Sequence, residues 1–377
     1  MKFIHTGDLH IGRKIFDVSL IEDQKVVLGQ IYDIALQEEA DAVVIAGDVY
    51  DRAVPSTEAV AVLDHFLTRF VKARIPVIMI SGNHDSGERV AFADQILEKQ
   101  GVYIAGGGTA GLKCVRLEDE WGPVDFVLMP FVKPAVLGCS DSACAVQKML
   151  DGLPGFLEGH RYVLTTHFFV TGNDGREPEL SDSETGISVG GLDMVPASLF
   201  EKFHYTALGH IHRPQCMWEG KVYYAGSPMK YSFSEAKGEK SVNLVELDGE
   251  GLVKVYRRTL RPPHEMRCIR GRLEDLMKKE VWELAPREDY IQAALTDSEE
   301  LINPIDTLRS VYPNVLQILL EKNVPGQEEE YVSRLSGERK STAQLFGDFY
   351  EMLKGEPMDG KRKLIVEETA REAEESI

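Results

Sequence analysis

Five short segments of this chain place Asp, His or Asn beside one another in spacings that suit metal binding. In chain order they are Asp8-Leu9-His10, residues 47–52 (GDVYDR), residues 82–85 (GNHD), Thr166-His167 and residues 209–212 (GHIH). Half of the chain's ten histidines lie in them. Their donor atoms are oxygens and imidazole nitrogens without a cysteine, a set that suits Mn, Fe or Mg-like ions better than a thiolate zinc site.

Taken alone, each segment has an ordinary explanation. Gly and Asn favour turns, so GNHD is compatible with a plain loop, and GHIH is compatible with two surface histidines. Together the segments offer too many ligands for one tetrahedral metal. Seven ligands with one shared carboxylate fill two sites of four, which predicts a two-metal arrangement.

The elements that must position these segments are strands. Residues 2–6 are predicted to form a short strand, and the apolar runs 41–46 (DAVVIA) and 76–81 (PVIMIS) are typical of buried strands. Further strands are predicted at 162–166 and 205–208. Each polar segment follows one of them. Because loops at the carboxyl ends of strands form the site in open α/β sheets, we expect the five segments to converge on one crevice.

The predicted organisation has three parts. Residues 1–261 form a layered α/β domain of sheets flanked by helices. The pattern of predicted strands and helices changes at 261–263 (RPP). Residues 262–325 form a small α/β capping domain, with helices expected over 273–279 and 304–311. Residues 326–377 form a polar, acidic linker followed by C-terminal helices.

Composition limits the choice of function and compartment. The 377 residues include 42 basic and 61 acidic side chains, a net charge of −19 that argues against nucleic-acid binding unless metal cations share the neutralisation. The apolar runs have only strand length, which predicts no membrane span, and no signal peptide is visible. Five cysteines without a CxxC pair fit a reducing cytoplasm.

The motifs GDxH, GDxxD, GNHD, a single His after a strand, and GHxH resemble those of the calcineurin-like metallophosphoesterases. Longer segments narrow the resemblance to the bacterial SbcD group of exonuclease subunits. They are THFFV, residues 181–193 (SDSE…VGGLD), LGHIHRP, residues 225–241 (AGSPMKYSFSEA…KS) and the C-terminal stretch TAQLFGDFYEMLKGEPMD. The resemblance covers essentially the whole chain.

The resemblance implies a role for each motif residue. It assigns Asp8, His10 and His212 to a first metal and Asn83, His167 and His210 to a second. Asp48 bridges the two ions, which are expected to be Mn²⁺. His84 faces the substrate phosphate as a catalytic group, and Asp51 orients and charges the His84 imidazole.

The resemblance also implies substrate and partners. The expected activity is ATP-dependent 3′-to-5′ double-strand exonuclease and single-strand or hairpin endonuclease work on DNA in repair, recombination and replication. The resemblance names an SbcC-type coiled-coil ATPase as the partner. No Walker motif occurs in this sequence, so any dependence on ATP must come from that partner. A homodimer within a heterotetramer is also implied. The alternatives are a stand-alone phosphatase or cyclic-nucleotide phosphodiesterase, and a non-catalytic scaffold.

Two apolar patterns are compatible with these partners. The predicted helix over 56–71 carries apolar residues all round, so one face is free for a second copy unless the chain's own elements cover it. Leu345, Phe349 and Met352 or Leu353 form a helical stripe near the C-terminus, which favours docking onto another protein. Packing of that stripe back onto the chain is the alternative.

Overall fold

A computed structural model describes residues 1–107, 111–184, 193–299 and 301–321, with scattered positions between 346 and 369. The chain separates into two units, Met1–Glu321 and Lys322–Ile377. The predicted stripe residues Leu345, Phe349, Met352 and Leu353 lie outside the described residues. In the described part of the chain, no helix is both long and apolar enough to cross a membrane.

The strands, numbered in chain order, are β1 (Lys2–Thr6), β2 (Lys14–Ile15), β3 (Val18–Ser19), β4 (Ala42–Ala46), β5 (Val77–Ile80), β6 (Val102–Ala105), β7 (Lys113–Asp119), β8 (Gly122–Met129), β9 (Arg161–Thr166), β10 (Phe169–Thr171), β11 (Met194–Pro196), β12 (Tyr205–Leu208), β13 (Gln215–Trp218), β14 (Val222–Tyr224), β15 (Lys240–Leu247), β16 (Val253–Leu260), β17 (Met266–Gly271), β18 (Tyr290–Leu295) and β19 (Val315–Leu320). The α-helices are α1 (Ile21–Gln37), α2 (Thr57–Ala73), α3 (Gly87–Val90), α4 (Asp94–Glu98), α5 (Ser142–Asp151), α6 (Leu273–Leu276), α7 (Lys279–Trp282) and α8 (Pro304–Arg309). Short 3₁₀ turns cover Pro134–Leu137, Ala197–Phe200 and Phe233–Glu235.

Two six-stranded sheets pack face to face at the centre of the first unit. Their strand orders are β16-β15-β1-β4-β5-β6 and β13-β14-β12-β9-β8-β7, and the inner strands of both are parallel. The apolar core between them includes Phe3 and Val44 from one sheet and Phe126 and Val163 from the other. Helices α1 and α2 cover the first sheet and α5 covers the second. The result is the predicted layered α/β fold.

Strand β4 shows why a continuous apolar run forms a central strand. Val43 and Ile45 face the core under α1 and α2, whereas Ala42 and Val44 face the core between the sheets. Because side chains alternate along a strand, both faces of β4 must be apolar when both are covered. All five residues of β4 are buried.

The strand registers bring the ends of the inner strands to one edge. Ile45 pairs with Thr6 of β1, and Ala46 pairs with Ile80 of β5. In the second sheet Thr166 pairs with Leu208. The loops that follow these strands therefore start level with one another, as the sequence predicted.

Helix α2 begins after Ser56, whose hydroxyl accepts the backbone N–H of Ala59 at 3.1 Å. Most of its apolar side chains, including Phe66 and Phe70, are buried within this chain. Tyr32 of α1 packs edge-to-face on Phe70. Only Val60 among its large apolar residues is strongly exposed. Other elements of the same chain thus cover much of the apolar face of α2 that was expected to be free to contact a second copy of the chain.

The described part of the predicted capping domain is a three-stranded parallel sheet, β17-β18-β19, with α6, α7 and α8. It lies in the same compact unit as the two large sheets. Six arginines lie close in sequence to the predicted domain boundary at residues 261–263, namely Arg257, Arg258, Arg261, Arg267, Arg270 and Arg272. Four of them pair with carboxylates. The ion pairs are Arg258–Glu38, Arg267–Asp289, Arg270–Glu321 and Arg272–Glu274. This pairing reduces the net positive charge that the cluster presents to a DNA backbone.

His5 gives a testable pH dependence of stability. It is fully buried between Tyr205, whose hydroxyl lies 2.8 Å from Nδ1, and the Leu208 carbonyl at 3.1 Å. Burial lowers the pKa of His5 from 6.5 to about 3. Between these two values the unfolded chain binds a proton that the folded chain does not, so stability falls as pH falls, by about 1.4 kcal/mol per pH unit.

We expect His5→Gln to remove that contribution. Urea unfolding of the metal-free protein from about pH 7 down to pH 4 should give a shallower loss of stability than in the wild type, by about one proton. Equal pH slopes for the two proteins would contradict the assignment of His5 as a buried neutral imidazole.

Candidate metal centre

All seven predicted ligands lie in loops at the carboxyl ends of the inner strands. Their positions follow β1 (Asp8 and His10), β4 (Asp48), β5 (Asn83), β9 (His167) and β12 (His210 and His212). Five of the seven are nearly inaccessible to solvent, at 3% exposure or less: Asp8, His10, Asp48, His167 and His212. Asn83 is exposed and His210 is half-buried, so the centre opens to solvent on the side of these two residues.

The loops hold several of these residues in an unusual backbone conformation. Asp8, His10, Asp48 and His210 have φ values of 50°, 43°, 48° and 98°. Non-glycine residues rarely adopt positive φ, and where they do the strain is typical of functional sites. Glycines make room for them: a Cβ at Gly82 would overlap the Asp48 carboxylate.

Two groups of ligand atoms lie close enough to share an ion. Asp8, His10 and His212 form one group and Asp8, Asp48 and His167 form the other, each with its atoms within 4.8 Å of one another. In the first, Nε2 of His10 lies 3.1 Å from Nε2 of His212. Asp8 belongs to both groups. Asp48 of the second group also lies close to the first, since its Oδ2 is 3.6 Å from Nε2 of His10 and 3.4 Å from Nε2 of His167.

Asn83 joins the second group through its side-chain oxygen. This oxygen lies 3.0 Å from Nε2 of His167 and 3.0 Å from Nδ1 of His210. The His210 backbone N–H in turn donates to both oxygens of Asp8, at 2.9 and 3.1 Å. The structure thus brings all seven predicted ligands together. Their division between two ions, with Asp48 as the bridge, remains the prediction made from the motifs.

The hydrogen bonds around this cluster fit a cation. Nδ1 of His167 donates to the Ala46 carbonyl at 2.7 Å, so Nε2 points toward the oxygens of Asp48 and Asn83 and offers them a lone pair when the ring is neutral. Lone pairs that face one another at such distances repel unless a proton or a metal ion lies between them. The donor set therefore fits divalent metals.

The pKa values support the same conclusion. Burial lowers the pKa of His10 to about 4 and of His210 to about 3, so both rings are neutral at pH 7 as ligands must be. Burial raises the pKa of Asp8 to about 8. For His167, burial is outweighed by Asp48, which raises the pKa to about 9. With that pKa, the His167 ring holds a second proton at pH 7 when no metal is bound, and a divalent cation would replace this proton.

Two predicted catalytic residues border the cluster. The backbone N–H of His84 donates to Oδ1 of Asp48 at 2.9 Å, and its half-buried ring lies edge-to-face on His10 with centroids 5.0 Å apart. Asp51 accepts a hydrogen bond from Arg13 at 2.8 Å, and its carboxylate lies 3.9 Å from Nδ1 of His10. The contacts described for Asp51 thus lead toward His10, and its predicted role on His84 stays a prediction.

A comparison with protein families now places the chain. The model of the calcineurin-like phosphoesterases matches residues 1–214, more than half of the chain. The chain belongs to the calcineurin-like phosphoesterase family. A second family model, the type 5 capsule protein repressor C-terminal domain, matches residues 262–353. The predicted fold class is confirmed, and so is the prediction of a metal-dependent phosphoesterase.

Curated relatives of this phosphoesterase agree with the longer motifs. The D component of the SbcCD nuclease of Staphylococcus epidermidis is 28% identical over 360 residues, which cover 93% of either chain. The protein of the same name from Staphylococcus saprophyticus is 29% identical over 365 residues and 94% of either chain. The resemblance to the SbcD group is thereby confirmed. A solved dimetal phosphatase from Danio rerio matches 70% of this chain and 99% of its own, at 11% identity and a TM-score of 0.37.

Sequence reasoning missed how the phosphoesterase loops are tied together. Asp85, the last residue of GNHD, accepts three backbone N–H groups, from Val49, Tyr50 and Gly82, at 2.9–3.0 Å. It therefore clamps the loop that carries Asp48 to the loop that carries Asn83. Its place in the GNHD motif was visible in the sequence, but its partners were not.

Sequence reasoning also missed the residues behind the first group of ligands. Gln24 of α1 donates to the His10 carbonyl at 2.8 Å, and the Tyr231 hydroxyl donates to the Leu9 carbonyl at 2.5 Å. A further set surrounds His212: Ser183, Glu184, Glu235 and Lys240. Apart from Gln24, these residues lie in segments shared with the SbcD group, and that was their only signal in the sequence.

Proposed function

We propose that this phosphoesterase is the nuclease subunit of an SbcCD-type complex and cleaves DNA phosphodiester bonds at a two-metal centre that uses Mn²⁺. The observation that carries the proposal is the convergence of seven oxygen and imidazole ligands from five strand ends around Asp48. Relatives named as components of a nuclease align over nearly the whole chain, including the region after residue 262. This extent favours a nuclease over a stand-alone phosphatase, which needs no such appended region.

Two divalent ions held by the seven predicted ligands would supply an activated water and would neutralise charge on the phosphate. The chain's own residues position the ligand atoms and the catalytic imidazole. Asp48 lies close to His10 of the first group and to His167 of the second, and the fixed Nδ1–H of His167 keeps its Nε2 directed inward. The His84 ring stands at the solvent-accessible rim, where it stabilises developing charge on the phosphate or gives a proton to the leaving oxygen.

Within this proposal the activity is ATP-dependent 3′-to-5′ exonuclease on duplex DNA and endonuclease on single strands and hairpins. The phosphoesterase works in the cytoplasm, in repair, recombination and replication. Its five cysteines are free, which agrees with a reducing compartment. The net charge of −19 requires that the metals and a partner contribute much of the attraction for DNA.

The deciding experiment compares substrates. The purified chain is incubated with Mn²⁺ and linear duplex, single-stranded or hairpin DNA, beside a chromogenic phosphomonoester and a chromogenic phosphodiester. Cleavage of DNA and of the diester, with little action on the monoester, supports a nuclease. Preference for the monoester would instead favour the alternative, a stand-alone phosphatase. Inactivity on every substrate despite two bound ions would favour a scaffold.

The proposed partners are an SbcC-type coiled-coil ATPase and a second copy of this chain, as a homodimer within a heterotetramer. The C-terminal apolar stripe supports the contact with the ATPase. For the homodimer, exposed Val60 on α2 offers a small apolar contact surface. Any dependence on ATP must come from the ATPase, because the sequence contains no Walker motif.

Truncation after Gln327 tests the ATPase contact. All seven predicted ligands lie in the unit Met1–Glu321, so the shortened chain should fold, bind metal and keep Mn²⁺-dependent cleavage of single strands. It should lose co-purification with the ATPase and ATP-stimulated cleavage of duplex ends. Undiminished co-purification would place the interface elsewhere, and an unfolded product would mean that the C-terminal residues stabilise the rest.

A further inference from the structure

His212 differs from the other predicted ligands in how completely its polar atoms are held. Its backbone N–H donates to Glu184, and its carbonyl accepts from the Lys240 ammonium at 2.8 Å and from the Ser227 backbone at 3.1 Å. Its ring Nδ1 lies 2.7 Å from the hydroxyl of Ser183. Only Nε2 is left to face the metal centre, 3.1 Å from Nε2 of His10.

The hydroxyl of Ser183 decides which ring nitrogen of His212 carries the proton. Ser183 donates its single proton to Oε1 of Glu235 at 2.7 Å, because a carboxylate only accepts. The lone pairs of that hydroxyl then accept from Nδ1–H of His212 and from the Ser181 hydroxyl, both at 2.7 Å. With the proton on Nδ1, Nε2 of the neutral ring keeps its lone pair for a metal.

Lys240 fixes the carboxylate that receives the serine proton. Lys240 and Glu235 form an ion pair in which each side chain is 3% exposed. The three ammonium protons of Lys240 have three acceptors, namely Glu235, the His212 carbonyl and the Ser227 hydroxyl. A buried charge is tolerated when its partners are complete, so this pair is held in a single arrangement.

We propose that Ser183, Glu235 and Lys240 act as a positioning relay that sets the Nδ1–H tautomer of His212 and so the affinity of the first metal site. The inference rests on the proposed function, because it treats His212 as a metal ligand. Ligand histidines commonly donate their second N–H to a carboxylate or carbonyl, and here the carboxylate is reached through a serine. His167 uses the Ala46 carbonyl for the same purpose, so the relay serves only one of the two sites.

The test removes the hydroxyl with Ser183→Ala and restores it with Ser183→Thr. Isothermal titration with Mn²⁺ alone should show one site weakened by about 10- to 100-fold in Ser183→Ala, with the other unchanged. Cleavage of a chromogenic phosphodiester should need correspondingly more Mn²⁺ for half-activation and recover at saturating Mn²⁺. Ser183→Thr should bind nearly as the wild type does.

Ser234→Ala is the matched control. The Ser234 hydroxyl accepts the backbone N–H of Asp182 at 2.9 Å and so joins the same two segments, but it makes no described contact with His212. If loosening of the loop were the whole effect, Ser234→Ala would weaken Mn²⁺ binding as much as Ser183→Ala does. Equal losses, or unchanged affinity in Ser183→Ala, would overturn the relay.

A measurement on the wild type does not depend on how the variants fold. Long-range ¹H–¹⁵N spectra of the metal-free protein should show His212 with its proton on Nδ1, and finding it on Nε2 would overturn the relay. Failure of the proposed function looks different, because the wild type would then bind fewer than two ions or cleave no phosphodiester. Two ions and an active wild type with an unaffected Ser183→Ala would reject the relay alone.

Discussion

Asp48→Asn should remove both metal ions and lower phosphodiester cleavage by about 10⁴-fold or more, the scale of loss when a catalytic unit is broken. Asp48 is a carboxylate close to a histidine of each group of ligands, at 3.4 Å from His167 and 3.6 Å from His10. Although burial opposes ionisation, the surrounding imidazoles hold the pKa of Asp48 below its usual range, so its charge is available to the ions. The metal content of the purified variant, by mass spectrometry, is the direct measurement.

Asp125→Asn is the control for loss of a buried carboxylate as such. Asp125 is 5% exposed and pairs with Arg116 and His160, and it is not among the predicted ligands. This variant should keep both ions and its activity, whatever its stability. If Asp48→Asn retained two tightly bound ions and a near-normal rate, the two-metal interpretation would be wrong. His10→Ala, by comparison, should mainly weaken the first site.

The sheets were predictable because their signal is local. The runs DAVVIA and PVIMIS are apolar on both faces and have strand length, which is the pattern of a strand covered on both sides. Parallel pairing then places the ends of β1, β4 and β5 level, so the convergence of Asp8, Asp48 and Asn83 follows from topology.

Helix α6 shows where local reasoning fails. One helix was expected over 273–279, but the structure has α6 and α7 as separate single turns, with Lys278 extended between them. The Leu276 carbonyl, which a continuing helix would use for its next turn, accepts the hydroxyl of Tyr312 at 3.0 Å. A contact 36 residues away thus decides the end of the helix, and nothing in its own sequence indicates it.

The residues that hold the ligands in place could not be predicted either, because their contacts also join residues that are distant in sequence. Ser183 and Glu235 are 52 residues apart, and Ser183 and His212 are 29 apart. Serine and glutamate are common surface residues, so their types alone suggest nothing. Motif reasoning finds residues whose chemistry is rare, such as clustered histidines. It does not find common residues that acquire a role only when two loops meet.

His84→Gln should lower DNA cleavage by about 10²- to 10⁴-fold while both ions stay bound, the loss typical of a missing proton-transfer group. Asp48 depends on the backbone N–H of His84, at 2.9 Å, and the substitution leaves that group in place. The lost imidazole stands beside Asn83 and packs on His10, with no predicted ligand role of its own. Mn²⁺ titration and cleavage rates on the same preparation test the two halves of this expectation.

Two substrates separate the two roles open to His84. A nitrophenyl phosphodiester has a leaving group that departs as an anion, whereas the deoxyribose oxygen of DNA needs a proton. If His84 protonates the leaving oxygen, His84→Gln should be far more damaging on DNA than on the nitrophenyl diester. If it stabilises charge on the phosphate, both rates should fall alike. His65→Gln, on the exposed face of α2, controls for the loss of a histidine elsewhere. If His84→Gln lost its metal ions together with its activity, His84 would be a metal ligand and its assignment as a catalytic group would be wrong.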